Sequence, residues 1–238
     1  MTSRSYGQYC GITTAVELIT ERWALLIIRD LLVGPRRYTD LKQGLPKIPT
    51  NILAARLKEL QEGGVIRRVP LARCGLVYEV TDYGRELEPI VLALGRWGFQ
   101  AMGDPEDDAI ITADSLTMAL RTAFRPEFAS ASLDFQIQID GVELRAQVNG
   151  GELKVTQIAP PALPVGGSLP AGEPELRFAT GPDIRHLIAG TLTPSQAVEQ
   201  GVVTILKGKL KLLERFAKLF RIDLDRTLGP GGSIASRG

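Results

Sequence analysis

Three features of this 238-residue sequence predict an α+β chain in two parts. Helical spacing of apolar residues dominates up to about Met102, and strict alternation dominates from about Ser132. Between them, Gly103 to Asp108 forms a Gly-Asp-Pro break with an acidic cluster. We therefore expect a first domain over 1–103, mainly α with one β-hairpin, and a second over 104–228. The second is expected to be an antiparallel sheet covered by helices. A Gly- and Ser-rich tail closes the chain over 229–238.

Composition narrows the class. Apolar residues make up 44% and charged residues 23%, enough for a core without disulfide or metal staples. No run approaches the roughly 18 apolar residues of a membrane span. The N-terminus lacks the apolar stretch of a secretory signal, so with two Cys a reducing cytoplasm is expected. The net charge of +1 hides an asymmetry: up to Gly103, fourteen Lys and Arg face ten Asp and Glu. From Asp104 on, fourteen face seventeen. The first part is the better match for a polyanion.

Glu21 to Val33 is apolar on most faces, which marks a central helix, and Gly34-Pro35 stops it. Thr39 is the expected cap of a short next helix that turns Leu41 and Leu45 inward and ends at Pro46. Thr50 opens a longer helix closed by Gly63-Gly64. Two helices across a short turn make a helix-turn-helix candidate. The β-branched runs Val65–Val69 and Leu76–Val80 then flank a short loop with Arg73, Cys74 and Gly75. A hairpin behind a candidate recognition helix is the winged-helix plan. Thr81 is expected to cap one long helix from Asp82 to about Met102.

Helix geometry sorts the recognition helix. With Leu53 as reference, Leu57 and Leu60 fall within about 40° of it and form the buried face. Asn51, Ala54, Ala55, Lys58 and Glu62 fall opposite. Asn is shaped for bidentate pairing to adenine, and small Ala lets a helix lie deep in the major groove. The expected DNA-contacting set is Arg36, Arg37, Thr50, Asn51, Ala55, Arg56, Lys58 and Arg73 at the wing tip. For Arg56, an ion pair that packs the helix onto its neighbours is an equal alternative.

These residues carry a resemblance. Tyr9–Ile12, Glu21–Leu31, Gly34–Leu41, Leu53 with Arg56–Leu60, Tyr78–Thr81 and Leu94–Gly98 look like the HxlR-type winged-helix regulators, in order, over about residues 5 to 100. The resemblance implies a homodimer whose first and last helices form the interface. It also implies two recognition helices reading a palindrome in double-stranded DNA. One departure is Pro49-Thr50-Asn51, where the family often has Ser-Pro and a basic residue. Family members that sense oxidants or electrophiles use an N-terminal Cys matching Cys10. Such a role needs an exposed thiol of lowered pKa, and a small packing residue near the interface is the alternative.

In the second part, Phe135, Ile137 and Ile139 alternate with Gln136, Gln138 and Asp140, and Leu144, Ala146 and Val148 alternate with Arg145, Gln147 and Asn149. Leu153 and Val155 continue a third strand, and Glu175–Ala179 and Val202–Leu206 supply two more. Helices are expected over Pro182–Ala189, Pro194–Gln200 and Lys209–Phe220. Asp183–Pro194, Ala197–Gly201 and Gly208 with the apolar helix after it resemble the sterol-carrier-protein-like fold. That resemblance implies an apolar tunnel for a fatty or sterol-like effector. Candidate lining residues are Phe135, Ile137, Leu187, Leu213, Phe216 and Phe220, with Gln136, Gln138 or His186 for orientation. A filled core gives the same pattern.

The sequence holds no P-loop, no dinucleotide glycine pattern, no nucleophile motif and only one His, so no catalytic role, metal or cofactor is expected. The expected function is a DNA-binding transcriptional regulator, homodimeric and tuned by an apolar small molecule. The alternatives are a soluble lipid carrier that dimerises through its winged helix and a thiol-based redox regulator acting through Cys10.

Overall fold

The computed structural model describes residues 5–71, 75–106, 109–159 and 170–224. They pack as two compact units, one up to Val91 and one from Leu92 on.

The first unit begins with α1 (Gly11–Ile19) and α2 (Ala24–Val33). Helix α2 starts later than Glu21 because Trp23 holds a left-handed conformation, φ 80°, which a helix cannot continue through. It buries Ala24, Ile27, Ile28, Leu31 and Leu32, so it is the central helix the sequence predicts. Helix α3 (Tyr38–Gly44) is not capped by Thr39. Instead the Asp40 carboxylate reaches back and accepts the Arg37 N–H at 2.8 Å. Helix α4 (Thr50–Glu62) buries Leu53, Leu57 and Leu60. Strands β1 (Ile66–Leu71) and β2 (Gly75–Val80) pair antiparallel, with Leu71 opposite Gly75.

The single helix expected over Asp82–Met102 is two, α5 (Asp82–Arg85) and α6 (Glu88–Phe99). Pro89 has no N–H to donate to the Arg85 carbonyl, so the ladder breaks there. Thr81 does cap α5: its hydroxyl accepts the Gly84 N–H at 3.0 Å and donates to the Gly64 carbonyl at 2.6 Å. Gly84 is required at this point, because a Cβ there would stand 2.0 Å from the Val65 carbonyl oxygen.

The second unit takes in the end of α6, which lies against α7 (Ala113–Ala123), a helix that the apolar spacing does not announce. A Cβ on Gly95 would meet the Thr122 side chain at 3.0 Å, and Arg96 Nη1 donates to the Thr122 carbonyl at 3.3 Å. This close approach is why the division falls inside α6 rather than at the expected Gly103–Asp104 break. Strands β3 (Leu133–Ile139), β4 (Val142–Asn149) and β5 (Glu152–Ala159) follow as a meander. Asp140 and Gly141, both at positive φ, make the two-residue turn between β3 and β4. Then come β6 (Leu176–Thr180), α8 (Ile184–Ala189), α9 (Pro194–Glu199), β7 (Val203–Lys207) and α10 (Leu210–Leu219).

The sheet order is β5-β4-β3-β6-β7. It is mixed, not antiparallel throughout as expected, because β6 runs parallel to β3. The meander leaves β5 running the same way as β3. A parallel neighbour of β3 then needs a crossover connection back along the sheet, and the sixteen residues 160–175 between β5 and β6 are enough for one. Alternation in the sequence reports which face a side chain takes and not the direction of its strand. No helix among the described residues is long and apolar enough to cross a membrane.

Candidate nucleic-acid interface

Helices α3 and α4 are held at a fixed turn by polar side chains. The Tyr38 hydroxyl donates to the Thr50 carbonyl at 2.9 Å, at the first residue of α4. Lys42 Nζ donates to the Pro46 and Ile48 carbonyls at 2.9 and 2.7 Å, closing the loop between the helices. Leu41, Leu45 and Ile48 are buried beneath it. With both ends of the turn fixed, the outer face of α4 is presented as a rigid strip.

That face matches the geometric expectation. Thr50, Asn51, Ala54 and Lys58 are exposed and Ala55 is half-buried. Lys58 pairs loosely with Glu62 at 3.6 Å, both well exposed, an arrangement that water and salt weaken readily. Arg37 is exposed and its Nε lies 3.1 Å from Asp40. Arg56 is ion-paired with Glu59 and, at 3.6 Å, with Glu21, so it takes the packing alternative.

Arg36 departs from the expectation. It is only 4% exposed, and its backbone bridges to β2, donating to and accepting from Tyr78 at 2.9 and 2.8 Å. The bridge draws the residue into the base of the wing, where it is buried. Arg73 lies outside the described residues. On the wing itself, sequence reasoning did not single out Arg67 and Arg68. Both are exposed on β1, Arg67 paired with Glu79 at 2.7 Å and Arg68 with its guanidinium 5.7 Å from the Tyr78 ring centre. Their signal is present in the sequence, as two adjacent basic residues within a short β-branched run.

A model of the HxlR-like helix-turn-helix family matches residues 18–106. An uncharacterized HTH-type transcriptional regulator of Bacillus subtilis, YvaP, is 35% identical over 85 residues, 35% of this chain and 79% of that protein. The HTH-type regulator Rv3095 of Mycobacterium tuberculosis is 38% identical over 112 residues, 46% of this chain and 69% of its own length. This chain belongs to the HxlR-like helix-turn-helix family. Among solved structures, the reduced form of the transcriptional regulator YodB from B. subtilis is 30% identical. The match covers 41% of this chain and all of that one, with a TM-score of 0.36. The HxlR-like part thus runs from the end of α1 through α6 and a few residues beyond, and the protein is a regulator of the helix-turn-helix type, with DNA as its partner.

Cys10 sits just before α1, exposed and free. Backbone N–H groups of Thr13 and Ile12, at the start of that helix, hold its thiol below the ordinary range.

The six candidate lining residues of the second unit do come together. Phe135, Ile137, Leu187, Leu213, Phe216 and Phe220 all belong to one buried cluster. The Phe135 and Phe216 rings meet edge-on at 5.5 Å, and Phe216 and Phe220 stack at 4.7 Å. Gln136 and Gln138 sit on the opposite face, where both donate to Glu143 Oε1 at 2.5 and 2.7 Å. They cannot orient a ligand among those rings. His186 is engaged near the surface with Thr191, 3.1 Å away. The opposite face also holds Arg145, buried in a two-pronged pair with Asp134 at 2.7 and 2.8 Å, which raises its affinity for the proton.

Proposed function

We propose that this regulator binds a palindromic operator as a homodimer, laying Asn51, Ala55 and Lys58 of α4 into the major groove. The carrying observation is the outer face of α4, small and polar where a groove demands it, behind a turn locked by Tyr38 and Lys42. In this reading the exposed Thr50, Arg37 and, on the wing, Arg68 contact phosphates. Homodimerisation is supported by apolar side chains left in the open on α1 and α6: Ile12, Ile90, Leu94 and Trp97. Selection from a random duplex pool tests the reading. The expected product is an inverted repeat with half-sites about 34 Å apart. Asn51→Ala is expected to lose about 1–3 kcal/mol at one position of each half-site. A pool without enrichment would sink the proposal.

An apolar effector in the second unit is the regulatory part of the proposal. The element order from α7 through the meander, β6, α8, α9, β7 and α10 supports the sterol-carrier-like resemblance. A ligand there has to part the rings of Phe135, Phe216 and Phe220. It regulates only if the DNA-competent and incompetent dimers bind it with different affinity. Helix α6 is the element to transmit the change, since its end is tied to α7 at Gly95 and Thr122. Solvent extraction of the purified protein checks this reading: a bound apolar compound that shifts operator affinity supports it. An empty chain, inert to fatty acids and sterols, removes it.

The exposed, acidified Cys10 thiol favours a second reading, regulation by thiol chemistry. Cys10→Ser then abolishes an oxidant's effect on operator binding and leaves the unoxidised affinity unchanged. An oxidant effect that survives the substitution excludes it.

A further inference from the structure

Helix α10 buries Leu213, Phe216 and Ala217 and turns Lys211, Arg215 and Lys218 the other way. At 100° per residue these three lie within about 60° of one another, and the stripe runs about 10 Å along the helix. Residues 207–221 carry six cations and one carboxylate, Glu214 on the stripe's flank. The rest of the chain from Asp104 carries eight cations and sixteen carboxylates. Among the described residues, no carboxylate lies in ion-pair range of Lys211, Arg215 or Lys218. Lys218 instead shares the Phe128 ring with Arg125, at 5.0 and 4.4 Å from its centre.

Lys211 and Arg215, four residues apart, repel by about 0.2–0.5 kcal/mol; Lys218 has the Phe128 ring, but among the described residues no ion pair offsets the other two on an otherwise acidic unit. An anion is the partner that such a stripe fits. We infer that the outer face of α10 is a second phosphate-binding surface, which grips the sugar-phosphate backbone of the DNA beside the operator. The inference rests on the DNA-binding reading of α4. A bilayer is the poorer fit, because a membrane-surface helix needs its apolar face free and that of α10 is spent on the core. The stripe's length is that of about three phosphates on one strand at about 3.4 Å of axial rise each. The grip is sequence-independent: it adds affinity and salt dependence and does not choose the operator.

The test uses the full chain and a random-sequence duplex, with affinity measured across a salt series. The triple variant Lys211→Gln, Arg215→Gln, Lys218→Gln keeps helix-forming side chains at all three positions. Its slope of log affinity against log salt is expected to be shallower by about 2.7, at about 0.9 for each phosphate no longer neutralised. Each single variant is expected to lose about a third of that, which keeps the test alive if the triple variant folds poorly. Lys58→Gln on α4 is the comparison. If Lys58→Gln flattens the slope and the α10 variants leave it unchanged, the stripe inference falls and the α4 reading stands. If the wild-type chain holds no duplex at any salt, both fall together. If phosphatidylserine vesicles bind the wild type and not the triple variant, with an unchanged DNA slope, the stripe belongs to a lipid surface and the inference is overturned.

Discussion

Helices α6 and α10 are both amphipathic and use that property in opposite ways. Helix α10 sends Leu213, Phe216, Ala217 and Leu219 inward, and its fully exposed residues are the charged Lys211, Glu214 and Lys218. Helix α6 has no buried residue, and Ile90, Leu94 and Trp97 stand in the open at helical spacing, Trp97 at 74% exposure. A chain rarely leaves such a row in water without a partner to cover it. The apolar work of α10 is finished within its own unit, so its outer face is free to carry charge. That of α6 is unfinished, which is what a homodimer interface through this helix requires.

The largest effect expected from breaking this contrast is on the α10 side. Phe216 touches Phe135, Phe178 and Phe220 and is fully buried. Phe216→Ala is expected to cost about 3–5 kcal/mol, because the rings around it cannot close the hole. Urea denaturation of the full chain measures it. A cost near 1 kcal/mol or less would mean that these rings already border open space, and would strengthen the case for an apolar effector among them.

On the α6 side, Trp97→Ala is expected to spare the fold and strike association. As the most exposed large side chain of the row, it is the natural anchor of an interface. Its loss is expected to weaken the dimer by about 2 kcal/mol, some thirtyfold in Kd. Sedimentation velocity across a dilution series reads this. A variant that melts lower but associates as before would show that Trp97 serves its own unit, and the contrast with α10 would disappear.

Which of these features the sequence could reveal depends on how far apart the deciding residues lie. The outer face of α4 was legible because one helical period fixes it, and Asn51, Ala54 and Lys58 stand where the geometry puts them. The inward face of α10 was legible for the same reason. Arg36 was not, since its burial is decided by a bridge to Tyr78, far along the chain. Helix α7 was not legible because its buried side mixes Asp114, Thr117 and Thr122 with Met118, Leu120 and Ala123. The polar residues break the apolar stripe that a helical period shows, although each hydroxyl has a backbone acceptor, Thr117 on Ala113 and Thr122 on Met118. The candidate orienting groups Gln136 and Gln138 failed for a simpler reason: alternation had already assigned them to the face away from the rings.

The smallest expected effect concerns charge on α10 and has an unusual sign. Lys211 and Arg215 are four residues apart, and among the described residues neither stands in an ion pair. Lys211→Gln removes one member of a like-charged pair and swaps one good helix former for another. It is therefore expected to stabilise the chain by about 0.2–0.5 kcal/mol at low salt. At molar salt the Debye length falls to about 3 Å, and the gain is expected to vanish. Thermal melting at the two salt concentrations measures the difference. A loss of stability that salt does not change would mean that the Lys211 stem packs against its neighbours. The stripe would then have a structural return of its own, and the argument that it needs a phosphate would weaken with it.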